Sequence, residues 1–379
     1  MNERNRADAC PGVLEPHHAA DGPLVRVRVP GGVLSPDALR GLVSAAEFGD
    51  GALELTSRAN VQVRAVRELG AFEERVRAAG LLPSRSHERV RNILGSPFSG
   101  RLGGTDVTSV NSVLDRELCS RTVFTELPGR FLFAVDDGRG EVAGLGADVT
   151  VRAETGGWRL LLAGAPTTLG VGDPVPLALR AAEEFLAIRE GHWRLAEVPD
   201  GAARVAAALG GSLLDRAALI DAPALDSIGV FEQLDGRFAL GALAPFGRLT
   251  GEQALALAEF GTVRLTPWRG VVLLDLTDPR PAVRAAGAAG LVTEADSPWA
   301  GVTACAGKPN CAKAIRDVRA DASAAIGAPG RPVHWAGCGR HCGKPRGPVV
   351  LVEATENGYL IDGVPVEDVT AAVETARKQ

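Results

Sequence analysis

Four cysteines near the C-terminal end of the sequence have the spacing of a metal–sulfur site. Five residues separate Cys305 from Cys311, and three separate Cys338 from Cys342. Zinc sites favour pairs about two to four residues apart, often with histidine at matching spacing, whereas an iron–sulfur cluster needs four thiolates that converge from wider loops. The longer spacer favours the cluster, and a cluster predicts a redox function.

Two other states of these cysteines are open from the residues alone, namely four buried free thiols or two disulfides. Two tight pairs rarely recur by chance, however, and nothing in the sequence indicates an oxidising compartment. The spacers, residues 306–310 and 339–341, are rich in turn-forming residues. They predict backbone N–H groups that point at sulfur and offset the negative charge of a cluster.

The cysteine segment is basic, although the whole chain carries a net charge of −5. Between residues 301 and 348 the acids are Asp317 and Asp321, and the bases are Lys308, Lys313, Arg316, Arg319, Arg331, Arg340, Lys344 and Arg346. A cationic field suits both an anionic cluster and an anionic substrate. The acidic remainder argues against a nucleic-acid partner.

Composition and length predict two or three globular domains. The chain has 379 residues, of which 46% are hydrophobic and 23% charged, as in ordinary globular proteins. The first residues are polar, and no apolar run is long enough for a signal peptide or a membrane span. We therefore predict a cytoplasmic protein without a membrane partner.

The sequence also repeats itself, since residues 24–63 are echoed by residues 238–273. In the first copy Val25 and Val27 alternate with Arg26 and Arg28, which predicts a strand with one apolar face and both arginines on the other. Each copy predicts strand, helix, strand, tight turn, strand and helix. Ser35 is the predicted N-cap of the first helix, which we expect to end at Gly49.

The second copy carries its own helix-start signal, because Thr250 and Gln253 have the spacing of a capping box. A weaker repeat links the segments that follow the two copies. Residues 90–100 stand where the first cysteine pair stands later, and residues 147–164 parallel residues 347–363. Only the later copy has the four cysteines, so we expect the cluster on one side of a pseudo-twofold arrangement.

Several segments resemble the sulfite and nitrite reductase superfamily, and the resemblance extends over nearly the whole chain. They are residues 55–62 (LTSRANVQ), 90–92 (VRN), 127–131 (LPGRF) and 265–267 (LTP), together with the cysteine spacing. The resemblance implies an α+β fold with internal duplication, in which two ferredoxin-like halves form one domain and two further α+β domains complete the molecule. It also implies that the four cysteines bind a [4Fe–4S] cluster. In the reductases the cysteine matching Cys342 bridges to the iron of sirohaem.

The domain organisation implied by this likeness has five parts. They are an N-terminal arm (residues 1–22), a first ferredoxin-like half (23–83), a first α+β domain with a helical spacer (84–224), a second ferredoxin-like half (225–291) and the cluster domain (292–379).

The same resemblance assigns catalytic positions to three arginines. Arg58 and Arg91 match arginines near the tetrapyrrole and its anionic ligand, and Arg130 replaces the first of two catalytic lysines. Leu132 stands in place of the second lysine. A leucine can neither stabilise bound sulfite nor donate protons to it, which argues against sulfite reduction.

Within the superfamily, residues 10–22 and 131–143 resemble the precorrin-3B synthase family of aerobic cobalamin biosynthesis more closely. This implies a monooxygenase that uses O2 to hydroxylate the tetrapyrrole precorrin-3A and closes a lactone on it. A [4Fe–4S] cluster and a mononuclear non-haem iron accompany that activity in the family. No dinucleotide fingerprint is present, so we expect electrons from an external donor or reductase.

A tetrapyrrole fringed with carboxylates needs a cleft with arginines that grip them bidentately. The candidate substrate-binding set is Arg26, Arg28, Arg58, Arg64, Arg91 and Arg130; for each, an ordinary surface arginine is the alternative. For the non-haem iron, His17 in the pair His17-His18 is the candidate ligand. Neighbouring side chains of a strand point in opposite directions, so we expect only one of the pair to bind. The alternative is an exposed histidine in an N-terminal arm.

Two rival functions remain open from the sequence. A sirohaem-dependent sulfite or nitrite reductase is favoured by the intact cysteine set and disfavoured by Leu132. A non-catalytic protein that carries a cluster or a tetrapyrrole is the other.

Overall fold

The computed structural model describes residue 8 and residues 10–215, 227–345 and 347–378. Within them the chain is an α+β protein with four five-stranded sheets. Its strands are β1 (His17–Ala19), β2 (Gly22–Val27), β3 (Val33–Leu34), β4 (Ala52–Leu55), β5 (Val61–Val63), β6 (Ile93–Gly95), β7 (Phe133–Asp136), β8 (Val149–Glu154), β9 (Gly157–Leu162), β10 (Ala165–Val171), β11 (Gly229–Glu232), β12 (Phe238–Leu243), β13 (Arg248–Thr250), β14 (Val263–Leu265), β15 (Gly270–Leu276), β16 (Val302–Ala304), β17 (Val333–Ala336), β18 (Val350–Thr355), β19 (Gly358–Ile361) and β20 (Val364–Val366). Its α-helices are α1 (Pro36–Ala46), α2 (Leu69–Ala78), α3 (Thr108–Ser120), α4 (Pro174–Ile188), α5 (Gly201–Ala208), α6 (Gly251–Ala258), α7 (Arg280–Ala288), α8 (Val318–Ala324) and α9 (Val369–Lys378).

The first repeat is confirmed, and its two copies exchange a strand. The first copy runs β2, α1, β4, β5, α2, and the second runs β12, α6, β14, β15, α7. The sheet orders are β1-β2-β5-β4-β13 and β11-β12-β15-β14-β3, so each copy supplies the edge strand of the other's sheet. Leu249 of β13 pairs with Leu53 of β4, and Leu34 of β3 pairs with Val263 of β14. All four side chains lie in one hydrophobic core, so the two halves form a single domain as predicted.

Local signals place the helices of this domain. The Ser35 hydroxyl accepts a hydrogen bond from Ala38 N at 3.1 Å, and Thr250 and Gln253 form the reciprocal capping box. The predicted end of α1 is wrong by a few residues, because the helix ends at Ala46. Gly49 lies in the following turn, where a Cβ would approach the Arg64 carbonyl oxygen to 2.4 Å. Close approach to the neighbouring strand, rather than helix termination, therefore requires this glycine.

The second repeat is confirmed in the other two sheets, whose orders are β10-β9-β8-β7-β6 and β16-β17-β18-β19-β20. In each sheet the first three strands in chain order are parallel, and the last two continue antiparallel. The predicted spacer helices are α4 and α5, which pack into the core of the first of these sheets. Cys305 directly follows β16, and Cys338 lies two residues beyond β17. Both cysteines therefore stand at the carboxyl ends of adjacent parallel strands.

Of the predicted domain boundaries, 83/84 and 291/292 fall between elements, whereas 22/23 divides β2. Residues 17–19 of the predicted arm pair with β2 and belong to the first sheet. The boundary at 224/225 lies outside the described residues. Across the described part of the chain, no helix combines the length and apolar character needed to cross a bilayer.

Candidate functional site

Short backbone contacts shape the loops that carry the four cysteines. Cys305 N donates to the Trp335 carbonyl at 2.9 Å, which ties the residue to the end of β17. Gly337 N lies 3.1 Å from Cys305 Sγ, so one N–H group points at sulfur as expected, although it comes from outside the predicted spacers. A Cβ on Gly337 would lie 2.9 Å from the Cβ of Ala314 and 3.4 Å from Cys305 Sγ. The sulfur is therefore held in a closely packed loop.

Cys342 lies within electrostatic range of the other three thiols. Burial is the largest cause of a raised pKa at Cys342, and the charges of Cys305, Cys338 and Cys311 raise it further. None of the six cysteines, all of which are described, forms a disulfide. Cys342 is exposed, whereas the other three are partly buried. The fold therefore brings Cys342 near the first cysteine pair as well as near Cys338.

The surroundings of Cys305 fit an anionic group. Nowhere in the described residues do three or more histidine, cysteine or acidic side chains converge on one ion position. A four-iron cluster does not demand such convergence, since its thiolates stand apart around the cube, each on its own iron. The Nη1 atom of Arg319, close to the Cys305 loop, is buried and has no hydrogen-bond partner among these residues, which suits an anionic group there. The [4Fe–4S] assignment stays a prediction.

A second group of side chains surrounds Cys10. Arg26 Nη1 and Arg28 Nη2 both approach its sulfur, at 3.2 and 3.4 Å, so the two arginines share a face as the alternation predicts. The sulfur also contacts the Gly129 carbonyl oxygen at 3.3 Å. Arg28 is only 1% exposed and donates to the carbonyls of Arg89 and Pro11. This thiol therefore contacts one buried cation, Arg28, and one partly buried cation, Arg26.

Pairwise charge repulsion links five arginines near this point, and we call them the arginine basin: Arg26, Arg28, Arg58, Arg130 and Arg194. Burial, followed by the charge of Arg26, lowers the pKa of Arg28 to about 10. Burial and then Arg194 lower the pKa of Arg58 to about 10. The pKa of Arg26 is lowered by burial and, among its neighbours, by the charge of Arg130. An anion in the basin would relieve this repulsion.

Members of the basin differ in how they are held. Arg194 is paired with Asp148 at 2.7 Å, and the exposed Arg130 stacks over the Trp193 ring with its Cζ 4.9 Å from the ring centroid. Within the described chain the guanidinium group of Arg58 has no hydrogen-bond acceptor. Arg58 and the exposed Arg130, whose guanidinium group likewise has no hydrogen-bond acceptor in the described chain, are therefore the members most available to a ligand.

Two of the predicted substrate-binding arginines are held elsewhere. Arg91 is 4% exposed and forms a bidentate pair with Asp115 at 2.7 Å, while its third nitrogen donates to the Leu81 carbonyl. Arg64 forms a bidentate pair with Asp21 at 2.7 and 2.8 Å and donates to the Asn310 carbonyl. The structure does not bring either residue into the basin, and we leave both out of the proposed substrate site.

His17 is exposed in β1, where its backbone partner is Leu24. The nearby carboxylate of Asp21 is occupied by Arg64. The role of His17 as an iron ligand stays a prediction.

Leu132 is 3% exposed and packs in the core of the ferredoxin-like domain. Its backbone N–H donates to Asp148 at 2.8 Å. The position of the second reductase lysine is thus an apolar core position here.

Sequence reasoning missed Arg194 and gave Cys10 no role. Arg194 reaches the basin by pairing with Asp148, a contact over 46 positions of sequence that no local pattern signals. Cys10 had a usable signal, since it begins the N-terminal segment that resembles the synthase family.

Comparison with known proteins agrees with this architecture. Residues 16–79 match the nitrite/sulfite reductase ferredoxin-like half domain. A precorrin-3B synthase from Sinorhizobium sp is 26% identical over 93% of this chain and 82% of its own length. An assimilatory ferredoxin-dependent nitrite reductase from Haloferax mediterranei is 23% identical over 85% of this chain and 68% of its own.

Among solved structures, the Mycobacterium tuberculosis NirA protein superposes with a TM-score of 0.67 and 22% identity. The alignment covers 85% of this chain and 69% of that one. Two predictions are thereby confirmed, the nitrite/sulfite reductase-like fold and the ferredoxin-like half domain. The relatives are oxidoreductases, but they differ in the reaction they catalyse.

Proposed function

We propose that this chain, an oxidoreductase with the nitrite/sulfite reductase fold, is a precorrin-3B synthase. It would insert one oxygen atom of O2 into precorrin-3A as a hydroxyl group and close a lactone from a side-chain acetate. The second oxygen atom would leave as water, with two electrons from an external donor and two protons. The relative from Sinorhizobium sp, which aligns over 93% of the chain, supports this reaction.

The arginine basin carries the proposal. Precorrin-3A presents many carboxylates, and desolvated guanidinium groups bind carboxylates more strongly than solvated ones do. Arg58 has no protein acceptor in the described chain, and the charges of Arg194, Arg26 and Arg28 act on it. Arg58 and Arg130 would grip the propionate and acetate fringe, and Arg26 and Arg28, which are fixed on Cys10, would add positive charge behind them.

Leu132 supports the synthase over a reductase, because it cannot supply a charge or a proton. Reduction of sulfite or nitrite consumes several protons beside a developing anion, a task for positioned cationic donors. A buried leucine supplies neither charge nor proton. Oxygen insertion into a large organic substrate does not need a lysine at that position.

Cys305, Cys311, Cys338 and Cys342 would hold the [4Fe–4S] cluster. When bound, such a cluster supplies one-electron transfer. His17 is our candidate ligand for a mononuclear iron, which the synthase family uses with O2.

A sirohaem-dependent reductase is the second candidate. The nitrite reductase from Haloferax mediterranei supports it, as does Cys342, the one exposed thiol of the four and the position that bridges sirohaem in reductases. This candidate requires sirohaem to occupy the basin in place of a corrin precursor.

One purification separates the candidates. Anaerobically reconstituted protein should show broad cluster absorption without a Soret band. With precorrin-3A, a reductant and ¹⁸O2 it should form a product heavier by one labelled oxygen atom, and none under argon. A Soret band with sulfite or nitrite consumption, and no oxygenated product, would instead establish the reductase. Tetrapyrrole binding without any change in mass would contradict both.

A further inference from the structure

Guanidinium groups hold the loops that carry three of the four cysteines. Arg319 Nε donates to the carbonyl of Cys305 itself at 3.1 Å. Arg64 Nη2 donates at 2.5 Å to the carbonyl of Asn310, the residue before Cys311. Arg269 Nη2 donates at 3.0 Å to the carbonyl of Gly343, the residue after Cys342.

These arginines come from three separate parts of the fold. Arg64 follows β5 in the first ferredoxin-like copy, Arg269 precedes β15 in the second, and Arg319 lies in α8 beside the cysteines. The cysteine loops are therefore held from both halves of the duplicated domain as well as from their own. The positive φ of +83° favours a glycine at 343, and a Cβ there would lie 3.0 Å from Arg269 Nη2.

Glu54 of β4 links the three cations. Its Oε1 lies 2.9 Å from Arg319 Nη2, and its Oε2 lies 4.0 Å from Arg64 Nη1. Burial lowers the pKa of Arg269; the charge of Glu54 opposes this shift, and the charge of Arg319 adds to it. Arg269 therefore lies within electrostatic range of both Glu54 and Arg319. Glu54 is buried, and no water shell screens these charges well.

The group holds more positive than negative charge before any thiolate is counted. Three guanidinium groups face two carboxylates, those of Glu54 and Asp21, which leaves one cation in excess. Arg319 Nη1 is buried without a hydrogen-bond partner in the described residues. An anionic group beside Cys305 would satisfy both the charge and the free N–H.

We propose that Arg64, Arg269 and Arg319 are positioning residues that hold the cysteine loops in place and raise the reduction potential of the cluster bound there, with Glu54 as their shared counter-ion. The inference rests on the cluster assignment in the proposed function. A fixed cation favours the more negatively charged, reduced state, and fixed loops slow the loss of iron. Arg64, predicted as a substrate ligand, thereby acquires a different role.

Redox titration of reconstituted protein, monitored by electron paramagnetic resonance, tests whether these residues raise or lower the midpoint potential of the cluster. Arg319→Gln and Arg269→Gln should lower the midpoint potential, whereas Glu54→Gln should raise it. A tenfold change in the ratio of reduced to oxidised cluster corresponds to about 59 mV for one electron. Opposite shifts from the arginine and glutamate variants are not expected of general damage to the fold.

Iron transfer to a chelator tests the hold on the loops. We expect Arg319→Gln and Arg269→Gln to release iron about tenfold faster. Arg340→Gln is the matched control, because Arg340 is an exposed arginine in the same cysteine loop for which no carbonyl contact is found. It should change the release rate little. Circular dichroism confirms that each variant is folded.

The outcomes separate this inference from the proposed function. Wild-type protein that binds no four-iron cluster overturns both. Wild-type protein that binds the cluster, with variants matching it in potential and iron release, overturns this inference alone. An Arg340→Gln variant that releases iron as fast as Arg269→Gln shows that loss of a nearby charge suffices, and overturns the positioning role.

Discussion

Arg58 combines three properties that a carboxylate-binding residue needs. It is largely removed from solvent, other cations surround it, and no acceptor in the described chain neutralises it. Such a side chain is costly to keep in the free protein, since desolvation and repulsion both oppose its charge. Only the binding of an anion offsets this unfavourable free energy.

Replacing Arg58 with alanine should therefore weaken substrate binding more than it slows the reaction. A charged hydrogen bond contributes about 1.5–3 kcal/mol, so we expect KM for precorrin-3A to rise about 10- to 100-fold. Steady-state kinetics of oxygenated product formation measures this. Arg116→Ala, which removes an exposed arginine outside the basin, should leave KM unchanged. An unchanged KM in Arg58→Ala would remove Arg58 from the substrate site.

Cys342 is the most exposed of the four cluster cysteines, so its substitution disturbs packing least. Cys342→Ser should abolish most of the bound iron and sulfide and bleach the cluster absorption, because a neutral hydroxyl is a poor ligand for iron. Iron analysis after anaerobic reconstitution measures the loss. Cys119→Ser controls for removal of a thiol elsewhere. Retained iron and an intact spectrum in Cys342→Ser would refute the four-thiolate cage.

At the scale of elements, the exchanged strands make the two ferredoxin-like copies interdependent. β13 supplies the edge of the first sheet and β3 the edge of the second, and both insert leucines into a common core. Neither copy can complete its sheet from its own residues. We therefore expect substitutions in one copy to be felt in the other.

Leu53 and Leu249 are opposite one another across this exchange. Either leucine changed to alanine should lower the free energy of unfolding by about 2–5 kcal/mol, from lost burial and the cavity left behind. The double variant should lose less than the sum, with a coupling of about 0.5–3 kcal/mol. Denaturant titration gives these values. Leu53→Ala combined with Leu160→Ala, in the core of another sheet, should be additive. Additivity of Leu53→Ala and Leu249→Ala would contradict a shared core.

The sequence predicted elements better than their partners. Alternating valines, the Ser35 cap and the Thr250–Gln253 box are local signals, and the structure confirms them. The exchange of β3 and β13 cannot be predicted from local sequence. A strand of two or three residues can pair with either sheet, and tertiary packing determines which one it joins. The partners of Arg64 and Arg91 escape prediction for the same reason. Strand period gives the face of Arg64, and the family resemblance gives the position of Arg91, but neither identifies the acid that pairs with the side chain.

For the whole molecule, the first α+β domain contains a buried acid that links stability to pH. Burial raises the pKa of Glu141 to about 7, and Arg139, 2.8 Å away, opposes the shift. A carboxyl group whose pKa is raised on folding binds more protons in the folded than in the unfolded state. The contribution of Glu141 to the free energy of unfolding is therefore complete below its unfolded pKa of 4.5. It is lost as the pH rises through about 7.

We expect Glu141→Gln to flatten the fall in stability between these two pH values and to be more stable than wild type at higher pH. Thermal unfolding at a series of pH values measures this. The exposed Glu356, changed to glutamine, should leave the pH profile as it is. A Glu141→Gln profile parallel to that of wild type would show that this carboxyl group does not titrate in the window.

The strand exchange also determines when the first sheet can be completed during biosynthesis. β4 leaves the ribosome about 200 residues before β13, a delay of about 10–40 s at ordinary rates of translation. Throughout that interval the nascent first sheet has an open edge, which is the kind of surface that chaperones shield and that aggregation exploits. Cys305, Cys311, Cys338 and Cys342 are all synthesised after β13. The order of synthesis thus completes the sheet carrying Glu54 before the last thiol exists, so maturation with iron follows closure of the scaffold.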